Sequence, residues 1–280
     1  MDATSESLAL ATLRALHEGT LSTDCVFGSA PVGDAPIRLI CNSLPKAGTY
    51  LLLELVKRAG FADVGFHLNT DHIEKRTADE QTEQPRYMPS VLQVAALKTG
   101  QAAPAHLHYS FVLENYLLSQ SDVRTLFIIR DPRDLVISWV DFVFSSAAYR
   151  STRWNTYRQM LAREQHATDD ARISSSIEGL LGMGLQHYLP WLDSSACLTI
   201  RFEELLANLS QGGGPVLDRI ALYIGRPLGD LSNLLGRSRT ASGRPVQVGI
   251  YKHRMNEHHL QRTARADFAE LIIKFGYEPD

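Results

Sequence analysis

Cysteine is scarce in this chain. Cys25, Cys41 and Cys197 are odd in number and widely spaced, with no CxxC and no Cys/His zinc spacing. That argues against a disulfide scaffold and a structural zinc site and fits a reducing compartment. Long apolar runs are missing too, since none approaches the roughly 20 residues that span a bilayer. The start, Met-Asp-Ala-Thr-Ser-Glu-Ser, lacks the basic and apolar segments of a secretory leader. No sign of charge is in large excess. Lys plus Arg number 28 and Asp plus Glu 31, for a formal net charge of −3. This argues against a protein that grips nucleic acid or an anionic membrane by bulk charge, although a local basic cleft for a small anion is compatible with it. What remains is ordinary for a folded, cytoplasmic, soluble protein: 280 residues, 44% hydrophobic and 21% charged, ample to bury a core.

Periodicity organises the chain into strands and helices. Leu8, Leu10, Leu13 and Leu16 mark a helix over 3–17, and a loop follows to about residue 36. Ile37 to Cys41 reads as a buried strand. The turn-rich Asn42 to Gly48 follows, and then a helix from Thr49 to Ala59 with Gly60 as its stop. Residues 63–90 read as a polar surface loop or mobile segment. Ala105 to Tyr109 reads as a short strand and Phe111 to Leu118 as a helix. Thr125 to Ile129 is the clearest buried strand, and Asp131 with Pro132 is a helix start. Residues 145–175 are polar and partly helical, and Ile177 to Leu192 looks helical. Cys197 to Phe202 is a further strand, followed by helices at Glu203 to Leu209, Pro215 to Ile224 and about Asn256 to Phe275. Strands alternating with helices imply an α/β fold around a parallel sheet.

Two strand-to-helix turns carry the chemistry. In a parallel sheet such turns lie at the carboxyl ends of the strands, where ligands bind, and helix N-termini favour anions. The first is Pro45-Lys46-Ala47-Gly48-Thr49-Tyr50, which offers a cation, a glycine for close backbone approach and a hydroxyl. It is not the GxxxxGK[ST] loop of P-loop nucleotidases, because the lysine precedes the glycine. The second is Arg130-Asp131-Pro132-Arg133-Asp134, with Ser138 further along. Read alone, the first is equally an ordinary turn with a solvated lysine. The second is equally an arginine paired with Asp131 or Asp134.

Together the two turns resemble the PAPS-dependent sulfotransferase family, where PAPS is 3′-phosphoadenosine-5′-phosphosulfate. The PKSGT-type loop of that family stands here as PKAGTYLL at 45–52, and its RxPxDxxxS-type segment as RDPRDLVIS at 130–138. Ala105-His106-Leu107 fills the place of the family histidine, and Arg201-Phe202-Glu203-Glu204-Leu205 matches an aromatic-acidic motif. Arg244 to Lys252 is a weaker match to the RxGxxGxW[KR] segment. Ala47 replaces a common serine, Leu51 and Leu185 stand at positions where animal cytosolic members place aromatics, and Val246 replaces a glycine. The resemblance is therefore nearer the bacterial or natural-product tailoring type.

The resemblance implies a three-layer P-loop-like α/β fold, with a central parallel sheet flanked by helices. It implies one sulfotransferase domain across 1–280, with 1–36 as an N-terminal helix and loop extension. The implied activity moves a sulfuryl group from PAPS to a hydroxyl or amine of a small-molecule acceptor and releases adenosine 3′,5′-bisphosphate (PAP), without a metal. Lys46, Gly48 and Thr49, with the backbone amides of Ala47 and Tyr50, would bind the 5′-phosphosulfate. Arg130, Ser138 and Arg244 would bind the 3′-phosphate. Lys46 would also meet the leaving charge, and His106 would be the general base, with His108 two residues on as the competing imidazole. His108, Tyr109 and His67 are candidate acceptor contacts. Two readings from other classes stay open at this point: a P-loop-type small-molecule kinase and a non-catalytic nucleotide-binding module.

Overall fold

A computed structural model describes residues 24–76, 86–145, 168–182, 184–237 and 247–279. The expected helix over 3–17, most of the polar stretch after 145, and Arg244 lie outside the described residues. Among the described residues, eight strands form one sheet. They are β1 (Arg38–Ser43), β2 (Ala62–Asp63), β3 (Phe66–Asn69), β4 (His72–Lys75), β5 (Arg86–Tyr87), β6 (Gln101–His106), β7 (Val123–Ile129) and β8 (Leu198–Arg201). The order is β5-β4-β3-β6-β1-β7-β8, with β2 paired to β6 beside this path. Strands β3, β6, β1, β7 and β8 are mutually parallel, so their carboxyl ends share one edge. Strands β4 and β5 extend the sheet antiparallel.

The centre of the sheet is covered on both faces. Leu39, Ile40 and Cys41 of β1, and Leu126, Phe127 and Ile128 of β7, are all fully buried although consecutive side chains point to opposite faces. The main helices are α1 (Thr49–Arg58), α2 (Ser90–Ala95), α3 (Phe111–Ser119), α4 (Pro132–Ser145), α5 (Asp169–Gly182), α6 (Phe202–Ser210), α7 (Pro215–Ile224), α8 (Glu257–Thr263) and α9 (Ala266–Lys274). The three-layer α/β architecture is thus as expected, with an antiparallel ribbon added at one side.

Four local expectations are corrected. Part of the expected loop 63–90 is strand β3 and ribbon β4–β5, and helix α2 begins at its last residue, Ser90. Its polar side chains hid the pattern: His67 and Glu74 are cross-strand partners, as are His72 and Tyr87. The strand expected at Ala105 to Tyr109 is β6, which starts at Gln101 and ends at His106. Alanine and proline are poor strand formers, yet Ala102, Ala103 and Ala105 are fully buried where β6 pairs parallel to β1. The helix expected over Ile177 to Leu192 is α5 followed by a 3₁₀ segment Leu185–Leu192, broken at Gly184, whose φ of 76° leaves helical space. The last helix is two, α8 and α9, separated at Arg265, whose ψ of 149° is extended. Asp131 does start α4, its Oδ1 accepting from the Arg133 amide at 2.9 Å.

Candidate active site

Strand β1 delivers its last residues to the shared edge. After Ser43 the chain makes a turn closed by the Ala47 amide donating to the Leu44 carbonyl at 3.0 Å. Pro45 and Lys46 are its central residues. Lys46 has φ 70° and Gly48 φ 106°, and the chain then enters α1 at Thr49. The positive φ at Gly48 has a packing reason as well: an added Cβ would lie 2.7 Å from Cδ2 of Phe202. The Leu52 amide donates to the Gly48 carbonyl at 3.0 Å, so α1 begins directly after the turn, with its N-terminus on the carboxyl edge of the sheet.

One hydroxyl ties this turn to β6. Ser43 Oγ lies 2.5 Å from Thr49 Oγ1 and 3.1 Å from His106 Nδ1. The Ser43 carbonyl also lies 3.1 Å from His106 Nδ1. A carbonyl can only accept, so Nδ1 carries the proton and Nε2 keeps its lone pair. Behind His106, Asn42 grips the next residue on both sides. Its Oδ1 accepts from the Leu107 amide at 2.8 Å, and its Nδ2 donates to the Leu107 carbonyl at 3.1 Å. Trp191 Nε1 donates to the same carbonyl at 2.9 Å.

Arg130 leaves β7, the neighbour of β1, and is buried. Its Nη2 donates to the Gln247 carbonyl at 2.6 Å and to Asp134 Oδ2 at 3.3 Å. Its guanidinium lies 4.5 Å from the centre of the Phe202 ring, the same ring that limits Gly48. Its Nε has no hydrogen-bond partner among the described residues. The bland alternative of an Arg130–Asp134 pair is therefore realised, while Asp131 pairs with Arg133 at 2.8 Å. The two cationic turns nevertheless sit on adjacent strand ends and share the Phe202 ring between them.

The family model of the sulfotransferase domain matches residues 36–260. This chain belongs to the sulfotransferase-domain family. Sulfotransferase 4A1 of Mus musculus and that of Rattus norvegicus are each 29% identical to it over 131 residues. The match spans 45% of this chain and 42% of each relative, under half the length of the curated relatives. Among solved structures, mouse sulfotransferase SULT7A1 complexed with PAP is similar over 92% of this chain and 96% of its own, at 16% identity and a TM-score of 0.48. A retinol dehydratase in complex with androsterone and inactive cofactor PAP is similar over 88% and 81%, at 15% identity and a TM-score of 0.49.

The electrostatics of this sulfotransferase-family site are unusual for a lysine and a histidine. Burial, helped by the nearby Arg130 charge and opposed by Asp141, lowers the Lys46 ammonium to a pKa of about 7. Its Nζ rests 3.4 Å from the centre of the Phe142 ring. Burial also lowers His106 to about 4, against the raising effect of the Ser43 carbonyl and with a smaller push from Lys46. Both shifts come chiefly from burial, so an anion placed beside Lys46 would favour its charged form.

The other expected residues are placed as follows. Ser138 is half-buried on α4, one helical turn beyond Asp134. The Ala47 amide is spent within its own turn rather than left open. Tyr50 is half-exposed, its hydroxyl 3.2 Å from His67 Nδ1, and the His67 ring packs 4.4 Å from that of His106. His67 is buried, which lowers its pKa, and its Nε2 has no partner among the described residues. Strand β6 stops at His106, so His108 does not share a strand face with it; His108 packs on His187 and Tyr188. Tyr109 gives its hydroxyl to Glu114 at 2.5 Å. Sequence reasoning missed Ser43, Asn42 and Phe142, and it quoted Phe202 within a motif without placing it beside Gly48 and Arg130. Ser43 could have been found, since it sits at a strand end six residues before the loop threonine. The other three are assembled only by the fold.

Proposed function

We propose that this chain moves a sulfuryl group from PAPS to a hydroxyl or amine of a small-molecule acceptor and releases PAP. The observation that carries this reading is the continuous chain Thr49–Ser43–His106 beside Lys46, with Arg130 entering from the adjacent strand. The residues present fit a doubly phosphorylated nucleotide. The N-terminus of α1 at Thr49 lies on the carboxyl edge of the sheet, and the buried Nε of Arg130 has no hydrogen-bond partner among the described residues. Lys46, Gly48, Thr49 and the Tyr50 amide hold the 5′ end; Arg130, Ser138 and Arg244 hold the 3′-phosphate.

When bound, the donor supplies an activated sulfuryl group, whose sulfur bonds to the acceptor heteroatom as its bond to the phosphate oxygen breaks. His106 takes the acceptor proton at Nε2, the nitrogen left basic by the Nδ1–H···O=C bond to Ser43. Lys46, charged once an anion is beside it, meets the negative charge that grows on the departing phosphate. Thr49 and Ser43 fix the turn against the histidine. Acceptors reach the site from the side of β3 and the Leu107–Ser110 loop, where His67, His108 and Tyr109 stand. A cytoplasmic setting accords with Cys41 and Cys197 being free thiols.

The kinase reading lacks the phosphate loop that it requires. The test is incubation with PAPS and a panel of phenols, alcohols and amines, with mass detection of sulfonated product. Calorimetry with PAP and ATP accompanies it. Product formation with PAP bound more tightly than ATP is expected. Equal or tighter ATP binding would overturn the donor assignment, and PAP binding without any product would favour a non-catalytic module.

A further inference from the structure

Asp134 is the most heavily shared side chain beside the site. It stands in the first turn of α4 and is fully buried. Oδ2 accepts from the Gly249 amide at 2.8 Å and from Arg130 Nη2 at 3.3 Å, while Oδ1 accepts from the Tyr251 amide at 3.1 Å. The two amides belong to a segment 115 and 117 residues further along the chain. The preceding carbonyl of that segment, Gln247, takes the second bond from the same Arg130 nitrogen at 2.6 Å. Arg133, the neighbour of Asp134, lies 4.2 Å from the Tyr251 ring. One carboxylate therefore fixes both the guanidinium of Arg130 and the backbone facing it.

We infer that Asp134 is a positioning residue for recognition of the nucleotide 3′-phosphate, acting through Arg130 and the Gln247–Tyr251 segment. This rests on the donor reading above. Two effects compete when the carboxylate is neutralised. Removing an anion beside Arg130 leaves more positive potential for a phosphate. Against that, an amide in place of the carboxylate turns one acceptor into a donor facing N–H groups, which drives the segment and the guanidinium apart. Three donors converge on this carboxylate, and hydrogen bonds to charged groups are the stronger kind, so the loss of geometry outweighs the gain in field.

The experiment compares Asp134→Asn with the parent chain by calorimetry, using PAP and AMP, which differ by the 3′-phosphate alone. The expected result is a loss of about tenfold or more in PAP affinity with AMP affinity changed less than about twofold. A general loss of structure would weaken both nucleotides alike and would overturn the inference, as would an unchanged or larger PAP-to-AMP ratio. Should the variant fail to fold, amide hydrogen exchange on the parent chain decides. PAP, and not AMP, should slow exchange at Gly249 and Tyr251, and equal exchange with both nucleotides overturns the inference. A parent chain with no preference for PAP over AMP sinks the donor reading itself, whereas a preference kept in the variant sinks only the role of Asp134.

Discussion

Nucleotide binding should draw a proton from solution at mildly alkaline pH. In the free protein the Lys46 ammonium has a pKa of about 7, held down by burial and by Arg130. A phosphate beside it raises that value toward the ordinary lysine range, so binding and protonation are linked. Below the lower pKa the lysine is already charged and binding takes up nothing. Between the two values each binding event must protonate the amine, and affinity falls as pH rises. At about pH 8 roughly one Lys46 in ten is charged beforehand, so uptake approaches about 0.9 proton per PAP. From about pH 7 to about pH 9 the charged fraction drops from about one half to about one hundredth, and PAP affinity should weaken about fiftyfold. The assay is calorimetry at alkaline pH in buffers of different ionisation enthalpy, since the apparent heat then varies with the protons exchanged. Lys46→Met should bind more weakly with no buffer dependence. A parent chain that binds PAP with a heat independent of buffer would refute the reasoning, because it would mean Lys46 is charged, or remains neutral, throughout.

Further outcomes follow from the same geometry. His106→Ala should lower turnover about 10²–10⁴-fold while leaving PAP affinity within about twofold, as stopped assays and calorimetry would read. Because His106 stays neutral down to about pH 4, the parent rate should hold level across about pH 5–7 rather than fall with an ordinary imidazole. Asn42→Ala orphans the buried Leu107 amide and should destabilise the fold by about 1–3 kcal/mol in denaturant titration, with a fall in kcat as β6 loosens behind His106. Gly48→Ala combines a left-handed backbone at φ 106° with a contact of 2.7 Å to Phe202. It should destabilise by more than about 1 kcal/mol and weaken PAP binding through the displaced ring.

Legibility followed the range of the forces involved. Strands β1 and β7 were visible because unbroken apolar runs need no partner to be recognised. The turns at Gly48 and Asp131-Pro132 were visible because glycine, proline and capping carboxylates act within a few residues. Strand β6 was misplaced because alanine and proline are poor strand formers, and this segment becomes a strand only through its parallel pairing with β1, about 60 residues earlier in the chain. The ribbon was missed because its polar residues take their pairing from one another across strands. The same division runs through the site. Lys46, Thr49 and Arg130 were found in short motifs. That His108 lies beyond the strand carrying His106 depended on where β6 ends, and the partner of Arg130 was undecided between Asp131 and Asp134 until the backbone was placed.

By itself the sequence determined the alternation of strands and helices, the two cationic turns and the histidine between them, since each is written in neighbouring residues. The tertiary structure decided which nitrogen of His106 is basic, how far Lys46 is stripped of its charge, and which carboxylate holds Arg130. Those properties arise from burial and from contacts between residues far apart in the chain, and no local pattern encodes them.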